Sequence, residues 1–335
     1  MLVYVLPISG GSFPTQLEII CELSDHGYKP DVTFACSGGN IAAYTGSAGD
    51  WKRDRIEAVA KNIGSDMMIE MWAPGPLMYI YAYFTGSLYR AGEGVHKFFE
   101  WYFTRQTIQI DEIWTSTYDR KSQKASYFCN LSGPRHFCPS LDTSLLQCHP
   151  PRYLEGDIRL ISIVSQASAS IPTYVESQFL GTEEHCDGGV SAASPFGAMK
   201  ACIPRRNLHI IYINGMDVET HDGDCTYRNI FGNGILAMSE VTRNKILQDR
   251  SRAVENICVD QSTAHRKDFD IRHLSRVLRE QQKTTNSVLE IYPDKYYELD
   301  ITNFDGTDIL SQMSRVDLKC RIWWEGSHSI FDFCT

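Results

Sequence analysis

The chain has 335 residues, 43% of them hydrophobic and 22% charged, enough for a substantial core in one large domain or two ordinary ones. A net charge of −9, with no basic stripe carrying interleaved aromatics, argues against nucleic acid as a partner. No apolar run reaches the ~18 residues of a membrane span, and the apolar start lacks the basic n-region of a secretory signal.

Residues 2–6, Leu-Val-Tyr-Val-Leu, form a short apolar, β-branched-rich run and predict a buried strand. Ser9-Gly10-Gly11-Ser12 follows, and then Leu17, Ile19, Ile20 and Leu23 share one helical face. A glycine-rich loop between strand and helix can aim backbone N–H groups at an anion. It can also be a plain turn. The P-loop and dinucleotide spacings are both absent, which leaves an oxyanion hole as the functional reading. Residues 30–34 predict a second strand, running into Ala35-Cys36-Ser37-Gly38-Gly39 and then the helix-permissive Asn40-Ile41-Ala42-Ala43-Tyr44. Strand, serine among tiny residues, helix is the recipe of a nucleophile elbow. Glycine relieves the crowding of so tight a turn, and the helix N-terminus favours developing negative charge. Ser-Gly-Gly also occurs in ordinary turns. Cys36, next to the serine, reads as core, its side chain turned back into the sheet.

Residues 66–103 are the most aromatic and Met-rich part, with Met67, Met68, Met71, Trp72, Tyr79, Tyr81, Tyr83 and Phe84, interrupted by Pro74, Gly75, Pro76 and Gly86. They read either as helices covering the sheet or as a lipid-facing wall over Ser37. Residues 107–128 predict a strand pair with a polar turn at 119–122. Residues 130–157, rich in proline, predict a long irregular loop. The β-branched run 158–164 predicts a buried strand, and so does 207–213. The charged stretch 233–283 predicts helix, 288–292 a last strand, and 306–319 a last amphipathic helix. Strands alternating with helices imply an α/β fold: a three-layer α/β/α sandwich with a mainly parallel central sheet. Ligands of such sheets bind at the carboxyl ends of strands, where residues 9–12 and 37 fall.

Glu184-His185-Cys186-Asp187-Gly188-Gly189-Val190 places an acidic residue ahead of two glycines. This can be a simple turn, or Asp187 can be the base for Ser37. The order of parts resembles the patatin-like phospholipases: glycine loop, serine elbow, Ser168-Ala169-Ser170-Ile171-Pro172-Thr173-Tyr174, and Asp187-Gly188-Gly189-Val190 with Pro195 beyond. Gly86-Ser87-Leu88-Tyr89, residues 98–103 and Ser311-Gln312-Met313-Ser314 are similar to that family too. The resemblance covers most of residues 2–215 and, weakly, 290–320. It implies a single domain over 1–335, with the motif-bearing core at 2–215 and a completion at 216–335. It also implies a lipid acyl hydrolase with a Ser–Asp dyad and no catalytic histidine. Ser37 would be the nucleophile and Asp187 the general base. Gly10, Gly11 and Ser12 would give the oxyanion donors, and Ala35, Gly38, Gly39, Gly188 and Gly189 would support the elbow and the base turn. The implied substrate is a membrane lipid or lipid aggregate, with no metal and no cofactor. An activating protein partner, a non-catalytic use of the fold and acyl transfer to an acceptor other than water stay open. Three positions depart from the family pattern: Ser9 where its glycine run begins, Phe13 where a cation often stands, and Ala35 for the first elbow glycine.

The eleven cysteines show no Cys-x-x-Cys and no zinc-like spacing. They suit free thiols in a reducing, intracellular compartment better than a disulfide framework, although Cys129, Cys138 and Cys148 are close in sequence. The pairs His136/Cys138, Cys148/His149 and His185/Cys186 read as scattered residues rather than metal ligands.

Overall fold

The structure is a computed structural model, and it describes residues 1–71, 76–105, 111–136, 148–191, 194, 208–219, 230–257, 264–295 and 297–325. Its strands are β1 (Leu2–Leu6), β2 (Val32–Ala35), β3 (Ile69–Met71), β4 (Tyr89–Ala91), β5 (Glu112–Asp119), β6 (Lys124–Cys129), β7 (Arg152–Tyr153), β8 (Gln178–Leu180), β9 (Glu183–Asp187), β10 (Leu208–Ile213), β11 (Ala264–Asp270), β12 (Asn286–Pro293) and β13 (Leu318–Glu325). Its helices are α1 (Phe13–Asp25), α2 (Gly38–Ala48), α3 (Arg53–Ala60), α4 (Ser65–Met68), α5 (Leu77–Thr85), α6 (Gly94–Arg105), α7 (Ile158–Ser168), α8 (Ile230–Ile257), α9 (Leu274–Gln281) and α10 (Gly306–Met313).

The sheet runs in the order β11-β13-β12-β10-β1-β2-β5-β6-β7, with β9 also paired to β5 and β8 to β9. Its centre, β12-β10-β1-β2-β5, is parallel, while β11, β13, β6, β8 and β9 each pair antiparallel with a neighbour. The β10–β12 pairing joins strands from residues 2–215 and from 216–335 in one sheet.

Two hydrophobic layers cover the two faces, as the alternation of β1 requires. Tyr4 and Leu6 face one layer with Phe13 and Leu17 of α1, Leu274 and Val277 of α9 and Ile309 of α10. Val3 and Val5 face the other, with Phe34, Trp114, Ile210, Val288 and Ala253 of α8. The result is the expected α/β/α sandwich. Among the described residues, no helix is long and apolar enough to cross a membrane.

Several local expectations need correction. Residues 158–164 are not a strand but the first two turns of α7. Asp157 caps that helix by accepting the Leu160 N–H at 3.0 Å, and Ile161, Val164 and Ala167 are buried at helical spacing. Part of 233–283 is the strand β11, paired antiparallel with β13. Its His265-Arg266-Lys267-Asp268 suits a sheet edge, where charge discourages further pairing. So β12 is not the last strand, and the last helix ends at Met313 before β13 begins. The stretch 130–157 contributes β7 to the sheet. Residues 66–103 split in two: α6 buries Phe99 and Tyr102, whereas α5 buries nothing. Residues 72–75, 107–110, Cys138 and Pro195 lie outside the described residues. The six described cysteines are buried free thiols.

Candidate active site

β5 acts as a ruler for the site. Along one edge it pairs first with β2, Ala35 opposite Thr115, and then with β9, Asp187 opposite Thr117. Ser37 lies two residues beyond Ala35, so chain leaving β2 meets the end of β9 over the same stretch of β5. The meeting is close: Ser37 Oγ–H donates to Asp187 Oδ2 at 2.6 Å. Both residues are nearly inaccessible, Ser37 at 2% and Asp187 at 4%.

Ser37 has φ +55° and ψ −130°, in the left-handed half of the map that a Cβ disfavours. Holding it there costs about 1–3 kcal/mol, and the surrounding structure supplies the constraint. A Cβ on Gly38 would fall 2.5 Å from Gly10 O, and one on Gly39 would fall 2.4 Å from Leu6 O. These two positions require glycine through close approach, not through φ. Ala35 is fully buried at the end of β2. Gly188 lies against Ser116 and Gly189 against Ile8.

Asp187 is held from three directions. Its Oδ1 accepts the Gly189 N–H at 2.7 Å, and its own N–H donates to Ser170 O at 2.9 Å. Burial raises its carboxyl to about 6, against the hydrogen bonds from Ser37 and Gly189 and the pull of Lys245. Cys36 Sγ lies 4.0 Å from Oδ1, so the side chain expected to sit passively in the sheet touches the Asp187 carboxyl. Burial pushes that thiol well above its ordinary value, which keeps it neutral beside the carboxylate. His185 is buried, with Nδ1 at Thr117 Oγ1 (2.9 Å) and Nε2 at Glu183 Oε2 (3.0 Å), so neither ring nitrogen is paired with the serine.

The glycine loop forms a 3₁₀ turn over Gly10–Ser12, with Gly10 at φ +51°. Gly10 contacts Gly38 through its backbone, and the N–H groups of Gly10, Gly11 and Gly38 donate no hydrogen bond among the described residues. Ser12 is a correction. Its N–H and its Oγ–H both donate to Ser9 O, at 2.9 and 2.6 Å, and leave no donor for an oxyanion. Gly38, the residue after Ser37, offers a further backbone N–H at the start of α2, beside Gly10. Phe13 is buried and packs edge-on against Phe304 at 5.9 Å, so core packing occupies the position just past the glycines.

Two contributors carry no role assigned from the sequence. Ser168 Oγ, at the end of α7, accepts the Ser37 N–H at 3.0 Å. With Ser170 O on Asp187, one turn grips the backbone of both partners. Lys245 Nζ of α8 donates to Gly189 O at 2.6 Å and also to Val190 O, bracing the turn behind Asp187. The Ser168–Ser170 segment stands out in the sequence as small and polar. Lys245 has no local signal.

A pocket, partly open to solvent, leads away from Ser37. Ile41, Tyr44, Met68, Val95, Phe98 and Phe99 give it apolar walls. Its other side is closed by the segment after β12, which contributes Ile301 and straps the glycine loop through Leu299 N–H to Gly11 O at 2.9 Å. Among the described residues no three His, Cys, Asp or Glu side chains form a group able to hold a metal ion. No protein-family model matches the chain, and no curated protein matches it.

Proposed function

We propose that the protein is a patatin-type serine hydrolase that cleaves carboxylic esters of lipids at a membrane surface, in a reducing intracellular compartment. The observation that carries this reading is the 2.6 Å hydrogen bond between Ser37 Oγ and Asp187 Oδ2 on a strained elbow that opens into an apolar pocket. Asp187 takes the Ser37 proton as Oγ bonds to the ester carbonyl carbon. The carbonyl oxygen becomes an oxyanion beside the Gly10, Gly11 and Gly38 N–H groups. The proton passes from Asp187 to the leaving alcohol as the C–O bond breaks, which leaves an acyl group on Ser37. Water, deprotonated by Asp187, then releases the fatty acid and restores the hydroxyl. A carboxylate near 6 is matched to this task, because it is ionised at neutral pH yet basic enough to accept a proton. The walls of the pocket suit an acyl chain, methionine and aromatic rings adapting to its bends.

The test is labelling of the purified protein with a fluorophosphonate probe, with Ser37→Ala as control. Labelling that disappears in the variant supports an activated serine. No labelling of the parent, with or without lipid vesicles, would turn the reading to a non-catalytic use of the fold.

A further inference from the structure

The least expected surface is helix α5. It rides at the end of the two-stranded ribbon β3–β4, whose register sets Met71 opposite Tyr89, Glu70 opposite Arg90 and Ile69 opposite Ala91. Glu70 and Arg90 form an ion pair across the ribbon. Between these two residues the chain runs from Met71 to Tyr89 without an Asp, Glu, Lys, Arg or His. The charge-free stretch is therefore bounded at its root by a charge on each strand.

No residue of α5 is buried, and Tyr83 is 85% exposed and Phe84 79%. Leu77, Tyr79, Ile80 and Tyr81 are exposed as well. At about 100° per residue these six side chains sweep an arc of about 200° around the helix. A helix laid in a protein groove presents a narrower apolar stripe and keeps a polar back. Here the polar back is missing. A helix apolar over so wide an arc needs an environment that surrounds it, and the edge of a lipid leaflet does so. Three tyrosines on a helix this short match the amphipathic rings found at membrane interfaces.

The position agrees. The ribbon root lines the pocket at Ile69 and Ala91, next to Met67 and Met68. Its other strand is tied to the segment that follows Ser170: Leu88 N–H donates to Thr173 O at 3.2 Å, and Tyr89 N–H to Tyr174 O at 2.9 Å. Val175 of that segment lines the pocket too. The ribbon and the segment after Ser170 thus connect α5 to the wall of the cavity that holds Ser37.

We infer that α5 is the membrane-docking element of this protein, inserting between the head groups of a zwitterionic phospholipid surface of no net charge so that the pocket opens toward lipid. The choice of occupant rests on the lipid-hydrolase reading. The lipid is zwitterionic because the inserted stretch carries no cation to seek an anionic surface and the chain as a whole is acidic.

The experiment is co-flotation with phosphatidylcholine vesicles, run on the full chain and on Ser37→Ala. Both proteins float with the vesicles, which separates docking from turnover. The double variant Tyr83→Glu/Phe84→Glu partitions at least about tenfold less, because charge is strongly disfavoured in the apolar layer. Partition changes by no more than about twofold between roughly 0.1 and 0.5 M salt, as insertion without ion pairing requires. Should the double variant lose its fold, Tyr83→Trp gives a second reading: brominated phosphatidylcholine quenches its fluorescence more than that of the parent. Failure of both parent and Ser37→Ala to float overturns the inference. So does a parent dimer that the double variant disperses, since that would make α5 an interface between two copies. Flotation without any fluorophosphonate labelling would support the docking role and count against the hydrolase alone.

Discussion

Replacing Asp187 with Asn removes a buried charge together with the proposed base, and the two losses have opposite signs. Burial raises the carboxyl from 3.8 to about 6, with Ser37, Gly189 and Lys245 acting against it. About two pKa units correspond to about 3 kcal/mol between the protonation states. The folded value is the raised one, so the folded protein holds this proton more tightly than the unfolded chain. That stabilisation is complete below 3.8, declines as pH rises, and is gone above about 6. Asn is close in shape to the protonated acid and keeps an acceptor for the Gly189 N–H. Parent and variant should therefore be of similar stability near pH 4, and the variant up to about 3 kcal/mol more stable near pH 7.5. At ~2.1 cal/mol/K per residue the chain unfolds with an entropy of about 0.7 kcal/mol/K, so the gap in Tm should open by about 4 °C. Thermal unfolding of both proteins across that pH range measures the gap. Turnover of a soluble ester should vanish in Asp187→Asn, and kcat/KM of the parent should rise with pH about a midpoint near 6. A Tm gap that does not change with pH, or a variant less stable than the parent near pH 7.5, would refute the reasoning.

The remaining predictions concern the frame around the dyad. Ser168→Ala leaves the Ser37 N–H without its acceptor, which costs about 1–3 kcal/mol; kcat should fall at nearly unchanged KM, as measured on a soluble ester. Lys245→Met removes a brace and a cation that lowers Asp187, so the midpoint of the pH–rate profile should move above about 6, while Lys245→Arg restores most of it. Glu298, whose carboxylate oxygen comes within 3.5 Å of where a Cβ on Gly10 would stand, opposes negative charge at that loop. Glu298→Gln should raise kcat/KM several-fold on an anionic ester relative to a neutral one, and equal change on both would remove it from selectivity. Glu290 is fully buried between Arg250 (2.6 Å) and Arg321 (3.3 Å), so Glu290→Ala should destabilise the fold by about 3–5 kcal/mol in denaturant titration.

The parts of the site that the sequence made legible are those where chemistry and backbone demand coincide locally. A serine among glycines after a strand can be read because the turn itself restricts which residues fit, as the contacts of Gly38 and Gly39 bear out. Asp187 ahead of two glycines reads either as a turn or as a base for Ser37, and only the resemblance favours the second. The structure supplies the physical reason in the double use of the β5 edge. Helix α7 was illegible because Ile158, Ile161, Ile163 and Val164 are β-branched, a composition that argues for strand, while the Asp157 cap and packing at helical spacing prevail. Strand β11 was hidden by its charges, which are those of an edge. Ser12 misleads because a third N–H after two glycines looks available until its acceptor, Ser9 O, is known. Lys245 acts across 56 residues on a main-chain carbonyl, and no local pattern encodes such a contact.

The two halves of the sheet thereby carry different duties. Ser37, Asp187, Ser168 and Ser170 are all referred to β5 and the end of α7, within the parallel centre and its β9 extension. The β12–β13 side carries the buried network of Arg250, Glu290 and Arg321, and none of those three bonds to the dyad. Substitutions there should change stability while leaving the kcat of the folded fraction intact, since distant sites without shared partners act additively. Substitution of Ser168 should lower kcat as well as stability, because the geometry of Ser37 depends on the bond from its N–H to Ser168 Oγ. The raised carboxyl of Asp187 belongs to the same arrangement: a charge kept where it weakens the fold is what the proposed general base requires.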